Sequence, residues 1–241
     1  MMSQESRLKE SFVIGLSIFL GLIGLGVFIS HGIVKAKSRD RTVVVKGLSE
    51  REVKANIAIW PIKFTETGND LADIYDRVQQ KNKIIIDFLK KNGFTDSEIS
   101  ISPPSIFDRE AERFSSGQAK GYRYIATSIV NVYSTKVDLV LKTMKKTVQL
   151  IKKGIAIQGQ SYDTQPEFLF TELNKIKPEM IEEATKNARK AALKFARDSN
   201  SKLGKIKKAR QGLFTITNRD KNTPYIKKIR VVTTIEYYLT D

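Results

Sequence analysis

The chain contains no cysteine and a single histidine, His31. Without cysteine there is no disulfide framework, no iron–sulfur cluster and no thiol nucleophile. One histidine excludes a zinc centre built from His and Cys ligands within one chain. A Ser-His-Asp triad would have to use His31, which ends an apolar run. It reads as an interfacial polar residue, since a catalytic base must stand within hydrogen-bond reach of its nucleophile. Phosphate-cradling glycine loops are missing too. Gly21, Gly24 and Gly26 mimic such a string but fall inside the apolar run.

The acidic residues offer little more. Glu182 and Glu183 are adjacent, so on a helix they point about 100° apart and share no site. Asp70, Asp73 and Asp76 lie in the first turns of an expected helix, where acids suit the positive end of the dipole. No catalytic constellation, cofactor site or metal site is therefore expected.

What is present is positive charge and one long apolar segment. The formal net charge is +16. Arg7 and Lys9 balance Glu5 and Glu10, and residues 12–34 carry no Asp, Glu, Lys or Arg, so the whole excess belongs to residues 35–241. Such a region is drawn to anionic surfaces.

Phe12 to Ile29 reads FVIGLSIFLGLIGLGVFI. At about 1.5 Å per residue it reaches roughly 27 Å, close to the hydrocarbon thickness of a bilayer. Extension to Val34 completes a transmembrane span with no polar face. The run exceeds the usual signal-peptide core of about 7–15 residues, which favours an uncleaved anchor. Val34-Lys35-Ala36 loosely resembles a cleavage site, which keeps the cleaved reading open. Lys35, Lys37, Arg39 and Arg41 follow the span, so the positive-inside rule alone would keep the large domain in the cytoplasm. A short N-terminal tail before a signal-like segment commonly stays inside instead, and the rule weakens for long translocated domains. Ser17 with Gly21, and Gly26 with Ser30, have a spacing that can pair helices.

The expected organisation is a tail at 1–11, a membrane helix at 12–34, a basic linker at 35–41 and one domain at 42–241. Thr42 to Gly47 reads as a strand, with a turn at Ser49-Glu50-Arg51. Val53, Ala55, Ile57 and Ile59 alternate with polar residues as a half-buried strand does. Trp60, Ile62 and Phe64 continue it in the opposite phase, which a bulge near Pro61 would explain. A helix is expected from about Asn69 to Asn92, with Thr67 and Asp70 at capping spacing and Gly93 ending it. Leu71, Ile74, Val78, Ile85, Phe88 and Leu89 form its apolar face.

Strands are expected around Ile99 to Phe107 and Tyr122 to Tyr133, joined by a polar tip at 109–120. A second helix covers about Lys136 to Lys152, followed by a strand from Ile155 to about Tyr162. The third helix starts near Pro178, burying Ile181, Ala184, Ala188, Ala191 and Phe195, and Gly204 ends it. Strands over about Lys205 to Thr217 and Tyr225 to Leu239 close the chain. The order β-β-α-β-β-α-β-α-β-β predicts an α+β fold, with a largely antiparallel sheet and long helices on one face. Helix, strand and strand recur at 69–134 and 178–239, a duplicated α-β-β unit.

This ordered set resembles the SIMPL-domain family, which includes bacterial periplasmic immunogenic proteins. The matching features are the opening strand ending at Gly47, Glu52-Val53, Asn92-Gly93-Phe94, Glu98-Ile99, Gly121-Tyr122-Arg123, Lys152-Lys153-Gly154 and the alanine-rich EEATKNARKAALKFARDSNSKLGKI. They cover residues 42–240. The basicity and Trp60-Pro61 depart from the family pattern. The resemblance implies an exported, periplasmic or otherwise extracytoplasmic protein, sometimes forming ring-like homo-oligomers, with no catalytic residues to carry over.

Three functions compete. The first is a structural or stress-related envelope protein acting by self-assembly. The second is a binding module for anionic lipid or envelope polysaccharide, using Lys205, Lys207, Lys208, Arg210, Lys227, Lys228 and Arg230. Lys142, Lys145, Lys146, Lys152 and Lys153 mark a further basic helix side. The third is an enzyme, for which no constellation is offered. Nucleic acid is not expected as a partner, because an exported location and the lack of a stacking-aromatic motif outweigh the charge.

Overall fold

The structure, a computed structural model, describes residues 4–38, 41–111, 121–159 and 164–240. Its first element is a helix, α1 (Gln4–Ser38), which continues past the apolar run into the segment expected as a linker. Residues Phe12–Ile33 are long and apolar enough to cross a membrane, and every large apolar side chain among them is exposed. Two of its polar side chains bond to the helix's own backbone. Ser17 Oγ donates to Val13 O at 2.8 Å, and His31 Nδ1 lies 3.1 Å from Val27 O. Such local bonding is what hydrocarbon demands, where no water is available to hydrogen-bond.

The remaining elements are β1 (Thr42–Lys54), β2 (Ile57–Gly68), α2 (Leu71–Lys91), β3 (Ile99–Ile101), β4 (Ser105–Asp108), β5 (Tyr124–Ser134), α3 (Val137–Met144), α4 (Val148–Ile151), β6 (Glu167–Leu169), α5 (Leu173–Asp198), β7 (Lys202–Gln211), β8 (Thr215–Asn218) and β9 (Ile226–Thr240). The fold is α+β with antiparallel pairing, as the alternation of residues predicts. Instead of one sheet there are two. One has the order β1-β9-β7 with β8 also on β9, and the other β3-β5-β2-β6 with β4 also on β5. The duplicated unit is visible in this pattern. In each copy a long helix precedes two strands that both pair with a third: α2 before β3, β4 and β5, and α5 before β7, β8 and β9.

Residues 42–241 are read from the sequence as one domain around a shared core. By its contacts the chain divides into two compact units: Met1–Ser49, Pro178–Phe214 and Val231–Asp241 in one, Glu50–Lys177 and Thr215–Arg230 in the other. Each has its own buried cluster.

The larger cluster lies in the second unit. Ala58, Trp60, Ile62 and Phe64 of β2 meet Ala126, Val130 and Val132 of β5 and Ile74, Val78, Ile85, Phe88 and Leu89 of α2. Each fully buried side chain of this size is worth about 1.5–3 kcal/mol. Asp70 caps α2, its side chain accepting from Asp73 N at 2.9 Å, so the cap is not the expected Thr67. Gly93 takes a φ of 98° just past the helix, which favours glycine. Leu71, expected on the buried face, is exposed.

Three expectations about the strands give way. No turn falls at Ser49-Glu50-Arg51, because β1 runs on to Lys54 and the chain breaks at Ala55-Asn56. There the Ala55 and Asn56 N–H groups donate to Tyr225 O and Leu169 O at 2.8 and 2.9 Å. That break supplies the change of phase, so β2 needs no bulge. It pairs with β5 without a shift from Ala58↔Ser134 to Gly68↔Tyr124, Pro61 included. Pro61 is tolerated because β6 covers only Ile57 to Ile59 on the other edge. The expected strand after Ile155 is reduced, among described residues, to one bridge between Ile157 and Phe64. Most of the 109–120 tip lies outside the described residues.

The helices differ as well. Residues 136–152 form two short helices, α3 and α4, rather than one. Thr143 Oγ1 and Thr147 Oγ1 donate back to Leu139 O and Met144 O, both at 2.8 Å, a habit that bends helices. The break turns Val148 and Ile151 outward. Helix α5 starts at Leu173 and contains Pro178, which cannot donate to the preceding turn. Its buried residues are Met180, Ala184, Ala188, Ala192 and Ala196, whereas Phe195 is 60% exposed. Gly204 does not end it. The chain reverses at Asn200, which has a φ of 51°, and Gly204 sits inside β7.

The alanine row of α5 lies against β1. Gly47 is a contact, not a turn residue, since a Cβ there would fall 1.8 Å from Ala184 O and 2.4 Å from Ala188 N. The approach is fastened by Ser49 Oγ donating to Glu183 Oε2 at 2.7 Å and Asn187 Nδ2 to Leu48 O at 2.9 Å.

In the second unit, Glu98 ties the turn after α2 to the end of β5. Burial acts to raise its pKa, but four donors outweigh it: Ser134 Oγ at 2.6 Å, and Thr95 N, Lys136 Nζ and Thr95 Oγ1 each at 3.0 Å. The pKa is pushed down to about 2 from 4.5.

Two outcomes follow. Gly47→Ala should lower stability by at least about 1–3 kcal/mol in urea denaturation, the scale of overpacking; an unchanged midpoint would contradict the close approach. Glu98 binds a proton more readily unfolded than folded, so its contribution is complete above its ordinary pKa of 4.5 and is lost as pH falls towards about 2. Thermal melts of Glu98→Gln across that window should show a shallower fall with acid than the parent chain; parallel profiles would rule the linkage out.

Candidate anionic-surface site

Strand β7 owes its place to its partner. Among the described residues it pairs with β9 alone and ends the order β1-β9-β7, which makes it an edge strand. Every residue from Lys205 to Gln211 is exposed. Pairing slips between Leu203 and Ile206 and again between Ile206 and Lys208, so the cations do not all fall on one face. Lys207 is drawn onto the sheet, 3.5 Å from Glu236 and 5.6 Å above the Tyr238 ring. Among the described residues, Lys205, Lys208 and Arg210 form no ion pair, although Lys208 stands opposite Glu236 in the register. Lysines and irregular register on an edge also discourage strand pairing between molecules.

The second predicted cluster belongs to the other unit, and its members meet two different environments. Lys228 Nζ and Arg230 Nε both reach Glu50, at 3.0 and 3.5 Å, so one carboxylate engages two cations. Lys227 is only 8% exposed. Its Nζ donates to Asn218 Oδ1 of β8, the residue paired opposite it. Burial pushes its pKa down, partly offset by the charge of Glu167. Lys227 is therefore a buried cation and not part of a surface patch. The signal was available in the sequence: Lys227 shares its parity with Ile229 and Val231, both buried. In the same unit Lys142, Lys145, Lys152 and Lys153 are exposed, while Lys146 donates to Asn92 Oδ1 at 2.8 Å.

The acidic residues set aside earlier are bound into local structure. Glu182 pairs with Lys186 at 2.5 Å on α5, while Glu183 accepts from Ser49. Asp70 caps α2, and Asp73 pairs with Arg77 at 3.2 Å. Sequence reasoning missed Arg123 as the organiser of the β4–β5 start. Its guanidinium meets Asp108 at 2.9 Å and Glu110 at 3.1 Å, and its carbon lies 4.8 Å from the Tyr124 ring centre.

Comparison with known proteins returns one family. Residues 43–229 match the SIMPL model, described as a protein of unknown function (DUF541). No curated protein matches the chain.

Proposed function

Because the chain belongs to the SIMPL family and begins with a helix able to cross a membrane, we propose that it is a membrane-anchored envelope protein working without catalysis, by docking its basic folded region on anionic lipid. One observation carries this reading. Lys205, Lys208 and Arg210 project from an exposed edge strand, and among the described residues none of them is ion-paired, Glu236 opposite Lys208 being engaged by Lys207 instead. Cations so placed act on a charged surface within a Debye length. A tether at the N-terminus keeps such a surface within reach of the folded region. In this reading α1 stays uncleaved and the folded region lies outside the cytoplasm. Support comes from the length of the region that follows the span, since long domains translocate largely regardless of flanking charge.

A second reading, self-assembly into a homo-oligomer, draws on exposed apolar side chains in the unit containing α5 and β7. Leu213 is 91% exposed, Phe195 60% and Ile206 51%. Assembly through the β7 edge itself is opposed by its charge.

Purified residues 37–241 should bind vesicles containing anionic lipid at low salt and leave them at high salt. The triple change Lys205→Gln, Lys208→Gln, Arg210→Gln should weaken binding roughly a hundredfold, at about 1 kcal/mol per cation. Unchanged binding would remove the reading, and capture by acidic polysaccharide but not by lipid would reassign the partner. The mass of the same region in solution tests assembly: a discrete large oligomer that survives salt supports it, and a monomer at every salt concentration ends it.

A further inference from the structure

Within the unit formed by Glu50–Lys177 and Thr215–Arg230 lies a cleft of about 700 Å³. One wall is every residue from Gln165 to Thr171, without interruption. A strand that turns a face to a cleft contributes alternate residues. An uninterrupted run means that β6 presents its edge, where backbone N–H and C=O groups lie. The pairing agrees. β6 bonds only to β2, through Ile57 to Ile59, and ends the order β3-β5-β2-β6, so its other edge has no strand among the described residues. Strand β8 forms part of the opposite wall with Ile216 and Asn218, alternate residues of one face. Pro224 adds an apolar surface.

Lys227 also lines this cleft. It points inward from β9 in phase with Ile229, is 8% exposed, and gives one hydrogen bond to the Asn218 amide oxygen. An ammonium carries three donors, and a single neutral acceptor is weak compensation for a nearly buried charge. Burial lowers its pKa, and the charge of Glu167, which also lines the cleft, partly offsets this. A carboxylate entering the cleft would meet it with a charge-assisted hydrogen bond.

An open strand edge and a nearly buried cation ask for different groups of one ligand. The edge asks for a chain with its own backbone donors and acceptors, which a fatty acid lacks. The cation asks for a carboxylate. β6 is short, so an added strand must end soon, and a chain end supplies the carboxylate at that point. The cleft volume also suits a short segment better than a folded partner. We propose that the cleft binds the C-terminal end of an extended peptide, which adds to the outer edge of β6 while Lys227 receives its terminal carboxylate.

This proposal is independent of lipid docking. It is tested on the detergent-solubilised full chain with random hexapeptides, the same sequences prepared as free acids and as C-terminal amides. Retained peptides are counted by mass spectrometry. Acids should exceed amides roughly tenfold or more, the scale of one charge-assisted hydrogen bond. Hydrogen exchange at residues 165–171 should slow when the acid pool is added. Lys227→Met should erase the preference, while Lys83→Met, which removes the same charge from an exposed site on α2, should keep it. Equal retention of acids and amides, retention no greater than on empty resin, or exchange at residues 165–171 unaffected by the acid pool would overturn the proposal. So would an equal loss of preference in Lys83→Met. The peptide comparison and the exchange measurement use the unaltered chain, so they stand even if Lys227→Met fails to fold.

Discussion

The β2–β5 ladder is the constraint on which the second unit depends. Its unbroken register from Ala58↔Ser134 to Gly68↔Tyr124 decides that Ala58, Trp60, Ile62 and Phe64 face inward together. Side chains alternate with a period of two, so a slip of one residue would expose all of them at once. Helix α2 has a surface to cover only because that face is continuous. Strands β3 and β4 attach to β5, and β6 attaches to the first residues of β2. The open edge beside Lys227 is thus a consequence of where the ladder leaves room.

The other unit rests on a complementary device, smallness. Its buried cluster is modest: Val45, Ala188, Ala192, Ile235 and Tyr237, with Val43, Ala191 and Leu203 around it. Little apolar area is available, so close approach replaces bulk. Ala184 and Ala188 let the α5 backbone come against Gly47, and dispersion contacts weaken steeply with any gap. Ser49 and Asn187 add polar fastenings at the same place.

Lysine and arginine, similar in a composition table, separate by environment. On the β7 edge Lys205, Lys208 and Arg210 stand exposed to solvent, while Lys207 is engaged by Glu236. Lys228 and Arg230 are largely answered by Glu50. Lys227 is the opposite extreme, a charge placed on an inward position of β9 beneath Asn218. In the proposals above, membrane affinity would draw on the first kind of site and ligand specificity on the last, because field strength grows as water is excluded.

Residue patterns determined much of this by themselves. The uncharged run from Phe12, the period-two strands, the face of α2 and the repeated helix-strand-strand order all follow from local periodicity, and the α+β class follows from them. Periodicity could not tell that Gly47 is a contact rather than a turn, because a glycine required by a neighbouring helix looks the same as one required by a bend. Nor could it separate a proline within a strand from a bulge, divide the core in two, or find the break between α3 and α4. The seven basic residues were legible as candidates, but their fates were not. Which cation is exposed, paired or buried depends on strands far apart in sequence, such as β8 opposite Lys227 and β1 carrying Glu50. Only the tertiary structure brings those partners within the few ångströms over which charge and hydrogen bonding act.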